Sequence, residues 1–277
     1  MAAMPERVEQ KFFVAPQRMI LALALVRRTC RRDEQYPEEQ INSLYFDTPD
    51  LEQHESSRAG EFAKHKVRIR WYGAEHDPHG PTGGAAETGW EARTASVWLE
   101  LKSRRGFASS KERSSVEVQV AVLEPEALAQ GIVSVNALTQ TMAGFGFFSA
   151  KALRPVIAIS YWRRRFVEPR TGFRVAFDSQ IRSTVIMPNL GRGERGLELP
   201  GAVIEVKGPS AELPACLGQL RDLGSSWTRF SKYSSSLDAH AGDLGSVSRL
   251  WPSGTMHAGA SPGMRTSNRE GTTCGRN

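Results

Sequence analysis

The sequence predicts an α+β fold: an eight-stranded antiparallel β-barrel, closed into a tunnel, with helices packed on its outside. Eight segments alternate apolar and polar residues with a period of two, as strands with two different faces do. Three other segments have the apolar spacing of amphipathic helices. The longest apolar stretch, Met19 to Val26, is far too short for a membrane span, so we expect no transmembrane segment.

The predicted strands follow one another along the chain and are enough to close a small barrel. They are Arg7–Phe13, Ile41–Asp47, Lys64–Tyr72, Val97–Ser103, Ser114–Val122, Pro155–Phe166, Phe173–Gln180 and Ala202–Lys207. The predicted helices run from Pro16 to Arg31, from Pro125 to Ala143 and from Leu213 to Leu223. Each helix has an apolar face that can cover the outer side of the sheet.

Two stretches interrupt this pattern and define the domain organisation. Clusters of Gly, Pro and Asp between Gly73 and Ala95 predict a long loop. From Gly242 onward the chain is rich in Gly, Ser and Thr without a hydrophobic period, which predicts a disordered tail over 242–277. Residues 1–241 are therefore predicted to form one domain. The GRGERG segment at Gly191–Gly196 does not open a helix after a strand, so it is predicted to be a loop and not a phosphate-binding motif.

The net charge and the cysteine content limit the binding partners and the cellular compartment that we expect. The net charge of +6 and the pI near 9.4 favour a polyanion: nucleic acid, an acidic membrane or a phosphorylated small molecule. The three cysteines lack the spacing of a disulfide framework or a zinc site. The first residues carry charges where a secretory signal has its apolar core, so we expect a cytoplasmic protein.

Basic side chains recur on one face of the predicted strands. Between Lys66 and Trp71, for example, Lys66, Arg68 and Arg70 share one face and the apolar residues share the other. The basic residues at such positions are Arg7, Lys11, Lys66, Arg68, Arg70, Lys102, Arg163, Arg174 and Lys207. For any single strand this could be the solvent-exposed face of an antiparallel sheet. Their recurrence over several strands favours a bound polyanion, because neighbouring like charges are destabilising until they are neutralised.

Three glutamates, Glu9, Glu100 and Glu205, share these strand faces and suggest a different ligand. Carboxylates repel phosphate but bind Mg²⁺ or Mn²⁺ through oxygen, with phosphate supplying further ligands. A metal and basic side chains together stabilise the charge on a transferring phosphoryl group. No Walker loop, kinase glycine loop or Ser/His/Asp order is found in the sequence.

Eight motifs in this order resemble the VTC-type polyphosphate polymerase domain, a branch of the triphosphate tunnel metalloenzymes. They are ERVEQKF (Glu6–Phe12), SLYFDTPDL (Ser43–Leu51), KVRIRWYG (Lys66–Gly73), LELK (Leu99–Lys102), SYWRRRF (Ser160–Phe166), FRVAFD (Phe173–Asp178), AVIEVKGP (Ala202–Pro209) and FSKY (Phe230–Tyr233). The resemblance covers about residues 6 to 237.

The resemblance implies a tunnel that binds ATP and inorganic polyphosphate, with Mn²⁺ or Mg²⁺ as cofactor. By motif position, the residues expected to take part in catalysis are Lys11, Arg68, Arg70, Lys102, Arg163, Arg174 and Lys207. Further phosphate ligands are expected at Lys66, Lys111, Arg113 and Lys232, with Glu205 as principal metal ligand and Glu9 and Glu100 as helpers. Tyr233 is expected to pack, and Tyr45, Phe46 and Asp47 to build a strand end.

The expected reaction is transfer of the ATP γ-phosphoryl group to a growing polyphosphate chain. The hydrolytic branch of the superfamily typically begins with Glu-x-Glu-x-Lys, whereas Arg7 stands at the first of these positions, which favours the polymerase branch. The alternatives are a metal-dependent inorganic triphosphatase and a non-catalytic module that binds polyphosphate or nucleotide. Nucleic acid is not expected, since the bases alternate inward on strands instead of lining an exposed surface with stacking aromatics.

Overall fold

The structure is a computed structural model that describes residues 8–73, 94–106, 108–188, 190, 196–223, 225–226 and 230–242. Arg7, most of the predicted loop between Gly73 and Ala95, most of the segment Gly191–Gly196 and the predicted tail beyond Gly242 lie outside the described residues. The division into a domain of residues 1–241 and a tail stays a prediction.

One antiparallel sheet dominates the described residues. Its strands are β1 (Val8–Val14), β2 (Arg31–Arg32), β3 (Glu38–Asp47), β4 (Ala63–Tyr72), β5 (Thr94–Arg105), β6 (Ala108–Gln119), β7 (Arg154–Val167), β8 (Arg174–Val185), β9 (Gly196–Gly208) and β10 (Ser225–Ser226). They pair in the order β10-β1-β9-β8-β7-β3-β4-β5-β6, while β2 pairs with β7. The eight long strands correspond to the eight predicted segments. The strand predicted at Ser114–Val122 corresponds to β6, which begins earlier, at Ala108. It also ends earlier, at Gln119, because Val120–Leu123 forms a 3₁₀ turn.

The two faces of the sheet differ as the alternation predicts. On β4, Val67 and Ile69 are fully buried in an apolar cluster on the outer face, while Arg68 lies on the inner face between them. A bulge in β8 next to Gln180, whose φ is +51°, shifts this alternation by one residue. As a result Asp178 and Ile181 both face inward although they are three positions apart.

Three helices cover the outer face, as predicted. They are α1 (Met19–Thr29), α3 (Val135–Gly144) and α4 (Leu220–Leu223), and all are shorter than the predicted segments because their ends form 3₁₀ turns or extended chain. Leu25 and Val26 of α1 pack with Phe12 and Val206 from β1 and β9. On the other half, Leu138 of α3 belongs to the apolar cluster of β4 and β5. Within the described residues, no helix is long and apolar enough to cross a membrane.

Two further helices, α2 (Glu52–Ala59) and α5 (Lys232–Ala241), are absent from the predicted elements. Eight of the ten residues of α5 are buried, and Tyr233 and Leu237 pack against inward-facing residues such as Tyr161 and Ile181. The expectation that all helices lie outside the sheet is therefore wrong for α5, which lies against its inner face. The sequence KYSSSLDAHA has no apolar stripe, so it does not indicate a buried helix. Its small serine side chains nevertheless allow α5 to be buried on several sides.

The sheet curls, but hydrogen bonds do not close it in the part of the chain that is described. β6 is at one end of the strand order and β10 at the other, so a closed barrel is not confirmed. The inner face is nevertheless concave: Glu9 of β1 and Lys102 of β5 are near opposite ends of the strand order, yet their charged groups lie 3.8 Å apart.

Candidate functional site

Basic side chains on the inner face of β4, β5 and β6 lie in rows that run across the strands. The cross-strand partners form two rows, Lys66–Lys102–Lys111 and Arg68–Glu100–Arg113. On the facing part of the sheet, Arg174 of β8 is the partner of Lys207 of β9. Like charges directly opposite each other destabilise a sheet. Glu100 contacts Lys111, and Glu9 lies near Lys102 and Lys207, but Lys66 and Arg174 contact no carboxylate of the described residues. A counter-charge supplied by a ligand would therefore stabilise both groups.

Glu100 is the centre of one group of ion pairs, and only 1% of its side chain is exposed. Arg68 donates to Glu100 Oε2 from Nε at 2.8 Å and contacts it through Nη2 at 2.7 Å, while the Lys111 ammonium contacts Oε1. Arg70 Nε lies 4.0 Å from Oε2. Burial alone would raise the pKa of Glu100, but Arg68, Arg70 and Lys111 lower it to about 2. Glu100 is thus ionised and already paired at neutral pH.

Asp178 and Glu205 form a second group, joined by two cations from different elements. Arg163 donates to both oxygens of the fully buried Asp178 at 2.6 Å and to Glu205 Oε2 at 3.0 Å. Lys232 Nζ, which α5 supplies, lies 2.6 Å from Asp178 Oδ2 and 3.2 Å from Glu205 Oε1. Burial opposes these charges, yet Lys232 and Arg163 lower the pKa of Glu205, and Asp178 and Glu205 raise that of Lys232. The two cations and the two carboxylates contact one another, so their formal charges balance.

Glu9 is held more loosely than the other carboxylates. Its oxygens lie 3.7 Å from Lys11 Nζ, 3.8 Å from Lys102 Nζ and 3.9 Å from Lys207 Nζ. Burial and nearby Glu205 would raise the pKa of Glu9, but these lysines lower it. Among the described residues, none donates a hydrogen bond to the Glu9 carboxylate. Glu9 is therefore the carboxylate with the most freedom to accept a ligand.

Several basic residues of the inner face are partly exposed to solvent. The side chains of Lys102, Lys111 and Lys207 are 40%, 39% and 44% exposed. Arg174 is exposed and has no hydrogen bond or ion pair with the described residues, and exposed Arg113 lies over the Trp98 ring at 4.5 Å. Among these exposed cations Lys111 contacts Glu100, whereas Lys102 and Lys207 lie near only the loosely held Glu9, so Lys102, Lys207, Arg113 and Arg174 are the most available to a ligand.

Two lysines of the row Lys66–Lys102–Lys111 lie in surroundings that disfavour their charged form. Burial and the neighbouring Lys11, Lys102 and Arg68 lower the pKa of Lys66 to about 7. Lys66 Nζ donates to the Ser231 hydroxyl at 2.7 Å. Burial and the positive neighbours of Lys102 outweigh Glu9 and lower its pKa to about 8. A bound polyanion would favour the charged form of both lysines.

Comparison with known proteins identifies the family. A family model described as the VTC domain matches residues 6–240, most of the chain. The chain belongs to the VTC domain family. This confirms the resemblance drawn from the eight motifs.

The solved structures similar to this VTC domain are distant. A candidate adenylate cyclase from Bacillus halodurans has 15% identity over 74% of this chain and 83% of its own, with a TM-score of 0.42. A candidate adenylate cyclase from Vibrio parahaemolyticus has 10% identity over 88% and 90%, with a TM-score of 0.37. A candidate adenylyl cyclase from Hippeastrum, described with a dominant triphosphatase activity, has 16% identity over 74% and 80%, with a TM-score of 0.36. A search of curated protein sequences gave no match.

The carboxylates of this VTC domain fit a divalent metal only with help from a substrate. Within the described residues, no group of three or more His, Cys, Asp or Glu side chains is placed to hold a metal ion. Glu9 of β1 and Glu205 of β9 lie on paired strands, with Glu9 opposite Lys207, two residues from Glu205, whereas Glu100 belongs to the separate group around Arg68. Mg²⁺ is commonly bound by one or two carboxylates, with phosphate oxygens of the substrate as further ligands. The donor set suits such a site at Glu9 and Glu205, without Glu100.

All site residues named from the sequence that are described lie on the inner face of the VTC domain, but the sequence did not reveal what holds them. Ser43 and Tyr161 accept hydrogen bonds from Arg70, both at 3.3 Å, and Tyr45 accepts one from Arg68 at 3.0 Å. Alternation could have placed these hydroxyls on the inner face, but their partners depend on contacts between distant strands. Asp178 was missed as a site residue for the same reason.

Proposed function

We propose that this VTC domain transfers the γ-phosphoryl group of ATP to a growing inorganic polyphosphate chain that lies along the basic inner face. The observation that carries the proposal is the set of like-charged cross-strand partners, Lys66–Lys102–Lys111 and Arg174–Lys207, on a concave face. A linear polyanion is the ligand that would neutralise two such groups on facing parts of one sheet.

The balance of charge supports a phosphate chain over a single small anion. Eleven of the site residues named above are basic and lie on the inner face: Lys11, Lys66, Arg68, Arg70, Lys102, Lys111, Arg113, Arg163, Arg174, Lys207 and Lys232. Four carboxylates, Glu9, Glu100, Asp178 and Glu205, contact members of this set, so its positive charges outnumber the negative charges around it. We propose that the curled sheet surrounds the bound chain as a tunnel.

The chemistry needs positioning more than proton transfer. A terminal oxygen of the polyphosphate chain would attack the γ-phosphorus of ATP, the bond to the β,γ-bridging oxygen would break, and ADP would leave with that oxygen. The attacking oxygen is already anionic, so no strong general base is needed. Arg68 and Arg70, fixed by Tyr45, Ser43 and Tyr161, are suited to stabilising the charge on the transferring group.

The metal expected for this reaction is Mn²⁺ or Mg²⁺, held by Glu9 and Glu205 with phosphate oxygens as further ligands. When bound, it would neutralise phosphate charge and align the two reacting groups. Both carboxylates also contact cations, Glu205 through Arg163 and Lys232 and Glu9 through three lysines. These contacts keep both carboxylates ionised and hence able to act as ligands.

Product analysis distinguishes the proposed reaction from its alternatives. Purified protein is incubated with ATP and Mn²⁺, and the products are separated on a gel that resolves polyphosphate chain lengths. Phosphate release from tripolyphosphate is measured in parallel. Long chains support the polymerase; free phosphate alone indicates a triphosphatase, and tight binding without turnover indicates a binding module.

Two site variants and one matched control locate the activity. Arg70→Ala and Glu205→Gln are expected to abolish chain synthesis while circular dichroism shows an intact fold. Arg182→Ala is the control, because Arg182 forms an exposed ion pair with Glu198 at 2.9 Å in the same sheet. Full activity in both site variants would refute the site assignment, and loss in the control would show that the effect is not specific.

A further inference from the structure

Two sequence motifs that are 186 residues apart meet next to the site. Tyr233 of FSKY donates its hydroxyl to Asp47 Oδ2 of SLYFDTPDL at 2.6 Å. Its ring also stacks on Tyr45, with 4.9 Å between the ring centroids and 15° between the planes. Tyr233 is 1% exposed and Asp47 is fully buried. Burial and Asp47 raise the pKa of Tyr233, so its hydroxyl remains protonated and donates.

Asp47 is a rigid acceptor because backbone groups hold it in place. Its Oδ1 accepts from the backbone N–H of Thr48 at 2.7 Å and of Gln53 at 3.0 Å, and its Oδ2 accepts from that of His54 at 3.0 Å. These contacts join the end of β3 to the first turn of α2. The hydrogen bond from Tyr233 adds the first turn of α5 to the same carboxylate.

The position of α5 determines where the Lys232 ammonium lies. Lys232 directly precedes Tyr233 in the first turn of α5, after the N-cap Ser231. Its Nζ fits between Asp178 Oδ2 at 2.6 Å and Glu205 Oε1 at 3.2 Å. A shift of this turn would therefore displace a cation that balances two carboxylates of the site.

We propose that Asp47 and Tyr233 are positioning residues, which fix the first turn of α5 and so hold the Lys232 ammonium between Asp178 and Glu205. The inference rests on the proposed function for its role in turnover. The Tyr233 ring contacts Tyr45, whereas its hydroxyl contacts Asp47, and it is through this hydroxyl that Tyr233 fixes the position of Lys232.

A double-mutant cycle tests whether Tyr233 acts through Lys232. Tyr233→Phe removes one hydroxyl and keeps the ring that stacks on Tyr45. We expect it to lower kcat by about 10-fold or more, because small displacements of site groups are costly. In a Lys232→Met background the same change is expected to have no further effect, since interacting residues are not additive. An equal loss in both backgrounds would overturn the proposal.

Ser183→Ala is the matched control for loss of a buried hydrogen bond from α5. Ser183 Oγ and His240 Nε2 lie 3.0 Å apart at the other end of the helix, two turns from Lys232. We expect this variant to lose stability to a similar degree while kcat stays unchanged. A proportional loss of kcat in Ser183→Ala would mean that stability alone explains the effect of Tyr233→Phe.

A second readout does not depend on turnover. The rate of acylation of Lys232 by an amine-reactive reagent is measured by mass spectrometry in the wild type, Tyr233→Phe and Ser183→Ala. We expect Lys232, which is 9% exposed, to react slowly except in Tyr233→Phe. If the wild type proves inactive, the proposed function fails but the labelling still decides the positioning role. Equal labelling in all three proteins would refute it.

Discussion

At the scale of single residues, the inner face contains cations that differ in how well they are neutralised. Arg163 and Lys232 each contact two carboxylates, whereas Lys66 reaches only the hydroxyl of Ser231 among the partners that the structure describes. Burial and neighbouring cations lower the pKa of Lys66 to about 7 and that of Lys102 to about 8, close to neutral pH. Binding of a polyanion should therefore depend on pH through these lysines.

Tripolyphosphate binding is expected to take up protons. Both lysines are partly neutral near pH 7.5, and a bound anion raises their pKa, so roughly one proton should be taken up per ligand. Affinity should fall as the pH rises through about 7 to 9, because the protonated form binds better. Calorimetric titration in two buffers with different ionisation enthalpies measures the uptake. Lys66→Met should reduce it and exposed Lys151→Met should not; heats that are the same in both buffers would contradict the prediction.

Asp178→Asn is expected to lower the free energy of unfolding by about 3 kcal/mol or more. Asp178 is fully buried, and the change leaves Arg163 and Lys232 with one carboxylate fewer. Glu198→Gln is the control, since its pair with Arg182 is exposed and should be worth about 1 kcal/mol or less. Denaturant unfolding measures both variants. Equal small losses would show that the buried network does not stabilise the fold.

At the scale of elements, α5 explains why the inner face combines an apolar part and a charged part. Its apolar side chains Tyr233 and Leu237 complete the inner cluster, and its first residue, Lys232, enters the charged group. The buried hydroxyls of Ser234 and Ser236 have no hydrogen-bond partner among the described residues. Serine thus allows close packing of α5 but leaves polar atoms that contribute nothing to stability.

Ser236→Ala is expected to leave the free energy of unfolding unchanged or to raise it by up to about 1 kcal/mol, because it removes an unpaired buried hydroxyl and favours the helix. Ser134→Ala serves for comparison. Ser134 caps α3 by accepting from the N–H of Ala137 at 3.2 Å, so its loss should cost about 1 kcal/mol. Both values come from denaturant unfolding. If Ser236→Ala destabilised as much as Ser134→Ala, a bound water or another partner would have to satisfy the hydroxyl.

At the scale of the whole molecule, local alternation predicted the strands and their faces, because a period of two is visible wherever one face is apolar. The residues from Lys66 to Trp71 are the clearest case. The start of β6 was missed because ASSKERSS lies on an edge strand whose two faces are both largely exposed. Closure of the barrel could not be deduced, since it depends on whether two distant strands pair.

The grouping of the carboxylates was the part of the site that the sequence could not provide. Glu9, Glu100 and Glu205 share the inner face, yet Glu100 is bound by Arg68 and Lys111, which form no ion pair with the other two glutamates. Asp178 joins Glu205 only because Arg163 and Lys232 arrive from β7 and α5. Such groups depend on tertiary contacts, which the spacing of residues along the chain does not indicate.

The most direct test of the central claim follows the γ-phosphoryl group itself. The wild-type protein is incubated with ATP labelled at the γ-phosphate, Mn²⁺ and a short polyphosphate primer, and label is counted in chains, in free phosphate and in ATP. Label that moves into chains, and that stays in ATP with Arg70→Ala but not with Arg182→Ala, is the predicted result. Label that appears only in free phosphate, or that stays in ATP with the wild type, would contradict phosphoryl transfer on the inner face.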